Sequence, residues 1–202
     1  MSQDVNEKVP DHLLAPLPQR GNKVSRWLGR LGMRLLGGWQ VKGTLPATRQ
    51  AIIPVAPHTS NWDFFVGVSV MLALGLRLSF FGKHTLFRFP INGIMRWLGG
   101  IPVDRRKSQG VVEQSIEAFE QRDELILALA PEGTRRKVTE WKKGFLHIAK
   151  ATGVPVIPVA FDFSRKTVDI AEPMIISDDI DDELARVKAA VAHAQGKNPE
   201  HV

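Results

Sequence analysis

The chain has 202 residues, 44% of them hydrophobic, and 27 Lys and Arg against 21 Asp and Glu give a net charge of +6. A chain of this size folds as one domain that buries roughly 70% of its unfolded surface, so it needs no covalent or metal staple. Cysteine is absent, which excludes disulfides, thiolate metal centres and a thiol nucleophile and suits a reducing compartment.

In chain order, residues 1–23 read as a mobile N-terminal tail, since Met1 to Pro18 is acidic and Pro-rich and lacks the basic start and apolar core of a secretory signal. Residues 24–202 form the folded domain. Val24 to Gly37 is helix-like, and Trp39 to Lys42 and Ala51 to Ala56 are strand-like. Ser60 to Leu76 reads as a long apolar helix opened by a capping box, Ser60-x-x-Asp63, with Asp in place of the usual Glu. Leu78 to Phe81 is a strand, Ile91 to Leu98 a short helix and Ile101 to Val103 a strand. Gln109 to Gln121 is a helix on the spacing of Val112, Ile116 and Phe119. Leu125 to Ala130 is apolar throughout, as a parallel strand buried on both faces must be. Gly144 to Thr152 is a helix ended by Gly153. Val156 to Phe161 and Thr167 to Ile170 are strands, and Asp179 to Ala194 is a closing helix. Strands alternating with helices predict an α/β fold, a mostly parallel central sheet covered by helices on both faces.

The most apolar run, Phe64 to Leu76, is too short for a membrane span, which needs about 20 residues. Residues 24–39 have another character. Val24, Trp27, Leu28, Leu31, Leu35 and Trp39 share one face of a helix, and Arg26, Arg30 and Arg34 share the other. That pattern suits a helix lying in a membrane interface with Arg reaching anionic lipid, and it equally suits a helix that packs its Leu face on the sheet. The charge distribution points outward as well: between His12 and Val103 the one acidic residue is Asp63, set in a long basic field. Such a field fits an anionic membrane surface or a phosphorylated substrate. Nucleic acid is not expected, because no recognised binding motif is present and Tyr is absent.

Three strand ends gather polar groups, and in an α/β protein ligands bind there. After Ala51 to Ala56 comes Pro57-His58-Thr59-Ser60-Asn61-Trp62-Asp63. On a regular helix five residues subtend about 140°, but with His58 in the turn before the helix and Asp63 in its first turn the two side chains can meet. A carboxylate accepting from one imidazole nitrogen leaves the other as a base; the alternative is that Asp63 only caps the helix. After Leu125 to Ala130 come Glu132, Gly133, Thr134 and Arg135, where Gly permits close backbone approach and Arg offers a planar fork for phosphate. Gly99 to Arg105 is the third strand end.

These blocks resemble the glycerolipid and lysophospholipid acyltransferases typified by 1-acylglycerol-3-phosphate acyltransferase. His58-Thr-Ser-Asn-Trp-Asp63 is similar to the family's H-x4-D block, Gly100 to Arg105 to its second, Pro131 to Arg135 to its third and Val154-Pro-Val-Ile-Pro158 to its fourth, all in the family's order. The resemblance implies an O-acyltransferase in which His58 is the general base, oriented by Asp63, that deprotonates the hydroxyl of a lysophospholipid or glycerol-phosphate-like acceptor for attack on a thioester. Arg105, Glu132, Gly133, Thr134 and Arg135 would hold the acceptor. No cofactor or metal is implied beyond the acyl donor, a coenzyme A or acyl carrier protein thioester, and the enzyme would sit peripherally on the cytoplasmic face of an anionic membrane. Trp62 and Arg136 depart from the familiar pattern, and both are expected near the acceptor head group. Two rivals remain open: a metal-dependent hydrolase using His58 and Asp63, and a non-catalytic basic membrane-binding protein.

Overall fold

The computed structural model describes residues 16–103 and 108–201. Its elements follow the predicted alternation: α1 (Lys23–Leu35), β1 (Gln40–Lys42), β2 (Gln50–Ala56), α2 (Trp62–Leu74), β3 (Leu78–Lys83), α3 (Asn92–Trp97), β4 (Gly100–Val103), α4 (Ser108–Glu120), β5 (Leu125–Leu129), α5 (Gly144–Thr152), β6 (Val159–Asp162), β7 (Thr167–Ile170) and α6 (Ile180–Val191). The strands form one sheet in the order β1-β7-β6-β2-β5-β3-β4. Five neighbouring strands, β6 to β4 in that order, run parallel; β7 is antiparallel to β6, and β1 is parallel to β7. The α/β class and the mostly parallel sheet expected from the sequence are therefore present.

Alternation along the central strands divides the core into two layers. Ile52, Leu125 and Leu127 pack on one face with Phe119 of α4, Phe145, Leu146 and Ile148 of α5, and Leu184 and Val187 of α6. Ala51, Ile53 and Ile126 point to the other face, where they meet Val66 and Val70 of α2 and the Trp39 ring. The register pairs Ala51 with Ile126 and Ile52 with Leu127. Both faces of the central strands are thus covered, and the carboxyl ends of β2 and β5 lie side by side.

Several boundaries differ from the sequence expectation, each for a local reason. Asn22 starts α1 with a full capping box: its side chain accepts from Val24 and Ser25 N–H while the Ser25 hydroxyl accepts from Asn22 N–H. α2 begins at Trp62 instead of Ser60, because the expected capping pair acts one step earlier. Asp63 Oδ2 accepts from Ser60 N–H at 3.0 Å, and the Ser60 hydroxyl accepts from Trp62 N–H at 3.2 Å, so these bonds shape the loop before the helix. The same helix stops at Leu74, where Gly75 takes a left-handed φ of 68°. β6 is shorter than expected because Pro158 has no N–H to donate; Val156, before it, bridges separately to Ile52 and Met174. α6 ends at Val191 instead of Ala194.

Of the segment expected as a tail, residues 1–15 lie outside the described residues. Arg20 N–H donates to Gly75 O, and Arg77 N–H to Pro18 O. No helix among the described residues is long and apolar enough to cross a membrane. α1 carries the exposed part of the apolar face read from the sequence, while Trp39, past the end of the helix, is buried against the sheet. The helix lies against α2 through Gly29 and Gly32, where a Cβ on Gly29 would fall 2.2 Å from Ala73 N and one on Gly32 2.5 Å from Ser69 Oγ. Val24, Trp27, Leu28 and Leu35 remain exposed.

Candidate functional site

The loop that leaves β2 turns His58 back toward the first turn of α2. His58 Nδ1 stands 2.9 Å from Asp63 Oδ2, so the pair suggested by the H-x4-D spacing meets as it must for an oriented imidazole. The Asp63 side chain is 2% exposed and that of His58 23%: the carboxylate is sealed in, and the imidazole opens to solvent. Asp63 Oδ2 also holds Ser60 N–H. A carboxylate oxygen that serves a backbone donor cannot rotate away, which fixes the histidine partner. Asp63 Oδ1 is buried and has no hydrogen-bond partner among the described residues.

Nδ1 facing a carboxylate carries the proton, which leaves Nε2 as the acceptor. Among the described residues nothing hydrogen-bonds to Nε2. The imidazole is therefore held by one nitrogen and available at the other, the arrangement required of a general base.

The end of β5 supplies the second cluster. Both Glu132 oxygens accept from His58 N–H, at 3.1 and 3.2 Å, tying the two loops together across the β2–β5 seam. Burial raises the Glu132 pKa; the His58 N–H bond and the His58 charge pull the other way, and the neighbouring Asp63 adds to the rise. Gly133 follows with φ 69°, and a Cβ there would fall 2.8 Å from Lys142 Cε, so the left-handed turn favours glycine. The Thr134 hydroxyl accepts from Arg136 N–H at 3.4 Å. Arg135 and Arg136 are exposed. Arg105 lies outside the described residues, as does Asp104. His58, Asp63 and Glu132 thus meet, and Gly133 forms the turn that follows Glu132.

Sequence reading missed the support that the C-terminal segment gives this loop. Asn198 N–H donates to the Thr59 hydroxyl at 3.1 Å and Asn198 Nδ2 to Thr59 O at 3.0 Å. Thr59 itself is 2% exposed. Gly196 is packed so closely against it that a Cβ would lie 2.7 Å from Thr59 Oγ1. Lys197, between them, places its ammonium 4.9 Å from the centre of the Trp62 ring. Only the glycine hinted at this in the sequence, because a contact across 139 positions has no local pattern.

No group of three or more His, Cys, Asp or Glu is arranged to hold a metal among the described residues. The apolar α2 buries Val66, Val70 and Met71 in the core and exposes Phe65 and Leu74.

The sequence matches the Acyltransferase family over residues 39–162. It is 30% identical over 163 residues to the 1-acyl-sn-glycerol-3-phosphate acyltransferase of Haemophilus influenzae, covering 76% of this chain and 65% of that protein. With the enzyme of the same name from Escherichia coli it shares 29% identity over 125 residues, 58% of this chain and 49% of the relative. The chain thus spans between about half and two thirds of the length of these relatives. The fold is similar to the crystal structure of the 1-acyl-sn-glycerophosphate (LPA) acyltransferase PlsC from Thermotoga maritima, with a TM-score of 0.62 and 26% identity over 85% of this chain and 76% of that one.

Proposed function

Because this chain belongs to the Acyltransferase family, we propose that it transfers a fatty acyl group from a thioester, on coenzyme A or an acyl carrier protein, to a hydroxyl of a lysophospholipid or glycerol-phosphate-like acceptor. The observation that carries the reading is the His58–Asp63 pair at 2.9 Å, at the adjoining ends of β2 and β5, with Nε2 turned away from the carboxylate. The named relatives, all 1-acyl-sn-glycerol-3-phosphate acyltransferases, support the acceptor class.

In this mechanism His58 Nε2 takes the proton of the acceptor hydroxyl as its oxygen attacks the thioester carbonyl. Asp63, buried and unable to turn, stabilises the imidazolium that forms. The tetrahedral intermediate collapses with cleavage of the C–S bond, and the imidazolium returns its proton to the departing thiolate. Ester and free thiol are the products, and no acyl-enzyme is formed, in keeping with a chain that has no cysteine. Glu132 fixes the position of the His58 backbone, Gly133 lets an acceptor approach the main chain, and Thr134, Arg135 and Arg105 serve the phosphate. No cofactor or metal takes part.

The surface of α1 gives the enzyme access to its lipid. Trp27 and Leu28 are about half exposed and Leu35 is 77% exposed, an apolar stripe with arginines beside it that suits an anionic bilayer face. Phe89, Ile91, Ile94 and Trp97, around α3, are exposed as well. The enzyme on this reading is peripheral, on the cytoplasmic face, and has no role with nucleic acid.

The test is thiol release from a long-chain acyl-CoA or acyl carrier protein, with and without lysophosphatidate and other lysolipids. Acceptor-dependent release that falls by about 10²- to 10⁴-fold in His58→Ala, the range of a general base, bears the proposal out. Release that is unchanged in folded His58→Ala, or absent with every donor and acceptor pair, overturns it.

A further inference from the structure

A cavity of about 210 Å³ opens beside α1 and α2, with Leu35, Trp39, Trp62, Phe163, Lys166 and Lys197 in its lining and His58 not among the residues that line it. Its chemistry is unusual in one respect. Lys166 places its ammonium 5.6 Å from the Trp39 ring centre and 5.3 Å from that of Phe163; Lys197 places its own 4.9 Å from Trp62 and 5.8 Å from the same Phe163. Two ammonium groups are thus drawn to one phenyl ring, and among the described residues neither is paired with a carboxylate. The acids of the adjoining β6–β7 turn are committed elsewhere: Asp162 to Ser164 and Arg165, Asp169 to Arg165 and His193.

The backbone holds Lys166 in this place under strain. Its φ is 55°, the one non-glycine residue with positive φ among those described, a conformation that persists only where the surroundings impose it. From there its chain runs along Gly37, where a Cβ would come 3.4 Å from Lys166 Cε. Like charges gathered without a counterion favour an anion between them. A cationic head group is disfavoured twice over, because the ring faces that would attract it already carry ammonium groups. The cavity is too small for a whole lipid, since pockets for drug-sized molecules start at about 300 Å³, but it has room for a head group. Leu35 at its edge is 77% exposed and belongs to the apolar stripe of α1, so hydrocarbon attached to that head group would continue onto an apolar surface.

We propose that this cavity binds the phosphate head group of an anionic phospholipid in the bilayer, held between Lys166 and Lys197, as a site separate from the one that holds the acceptor. The proposal rests on the reading of α1 as the membrane-facing helix. Trp62 lies between the α2 cap residue Asn61 and the carboxylate residue Asp63, and Lys197 lies between the two residues that grip Thr59. A lipid phosphate on Lys197 therefore steadies the loop that carries His58, and links membrane engagement to the catalytic histidine.

The test follows the indole N–H signals of Trp39, Trp62 and Trp27 by NMR in the full chain. The titrants are dihexanoyl phosphatidylglycerol and dihexanoyl phosphatidylcholine below their micellar concentrations, with inorganic phosphate as a third arm. Saturable shifts of Trp39 and Trp62 with the glycerol lipid, absent with the choline lipid and about 20- to 30-fold weaker in Lys166→Ala/Lys197→Ala, are the expected result, at about fivefold for each lysine near a lipid charge. Lys166→Arg/Lys197→Arg keeps the charges and retains the shifts. Equal response to both lipids, or an undiminished response in the folded alanine variant, overturns the site. Inorganic phosphate acting as strongly as the lipid overturns its assignment to a lipid. Binding is read without acyl transfer, so failure of the catalytic proposal leaves this result standing. If instead Trp27 alone fails to respond to anionic vesicles, it is the membrane reading of α1 that fails.

Discussion

Replacing Asp63 by Asn separates two things a carboxylate does for a histidine, fixing its tautomer and stabilising its charge. Asp63 Oδ2 accepts from Ser60 N–H at 3.0 Å and faces His58 Nδ1 at 2.9 Å. The Ser60 donor requires an oxygen at that position, so the introduced carboxamide places its carbonyl there and its NH₂ where Oδ1 stood. The oxygen still accepts from His58 Nδ1, and the tautomer with a free Nε2 survives. What is lost is the negative charge facing the imidazolium of the transition state. Unit charges about 4 Å apart interact by about 4 kcal/mol at an effective dielectric of about 20, the equivalent of about 10³ in rate. Since the His58 side chain is 23% exposed, part of this is screened, and the expected loss in kcat is about 10²- to 10³-fold with KM nearly unchanged. The NH₂ takes over a buried position where Oδ1 has no hydrogen-bond partner, and a buried donor left unsatisfied costs about 1–3 kcal/mol of stability. The assay is steady-state thiol release by Asp63→Asn alongside its thermal unfolding. A kcat within tenfold of wild type would falsify charge support by Asp63, and a loss confined to KM would make it a binding residue.

Three further outcomes follow from the same contacts. Burial raises the Glu132 pKa, so the folded state binds its proton more tightly than the unfolded chain, and stability falls as pH rises from the ordinary carboxylate range through the raised value. The Tm of Glu132→Gln relative to wild type should accordingly be highest near neutral pH and decline on acidification; a difference independent of pH refutes this. Gly196→Ala puts a Cβ 2.7 Å from Thr59 Oγ1 and displaces the His58 loop, which should lower kcat/KM by up to about 100-fold with the acyl donor bound as before; unaltered kinetics would mean that the C-terminal segment does not position the base. Gly29→Ala improves helix propensity by about 1 kcal/mol, yet its Cβ would meet Ala73 N at 2.2 Å. The expected net effect in urea unfolding is a loss of about 1–3 kcal/mol, and a stabilised variant would contradict the close approach of α1 to α2.

The pair at the centre of the site was legible because its signal is short-range. His58 and Asp63 sit at a strand end and in a helix's first turn, and both positions follow from the apolar run 51–56 and the polar residues after it. The Glu132 loop was legible for the same reason, but its contact was not. Glu132 reaches His58 N–H because β2 and β5 are neighbours, and the order of strands in a parallel sheet is set by crossovers that leave no local mark. The capping expectation at Ser60 identified the right two residues and the wrong geometry: the bonds exist, but they turn the loop that precedes the helix instead of opening it. Asn198 on Thr59 lay beyond any periodicity. Its partner is a buried threonine set between His58 and Ser60.

The helix at residues 23–35 shows how packing adds what a sequence pattern leaves open. Its apolar stripe and its arginines were plain in the sequence, and its glycines are weak helix formers. In the fold those glycines are the contact surface. Without a Cβ at residues 29 and 32 the backbone of α1 can lie on that of α2 at Ala73 and Ser69, and a helix seated on its glycine face has no need to bury its large side chains. Val24, Trp27, Leu28 and Leu35 are consequently left in solvent, each at a free-energy disadvantage that a covering apolar phase would relieve at about 25 cal/mol per Å² removed from water. The glycine seam thus leaves Val24, Trp27, Leu28 and Leu35 outside the core, although Trp39 of the same predicted face is buried in it, and Leu35 borders the cavity that Lys166 and Lys197 line.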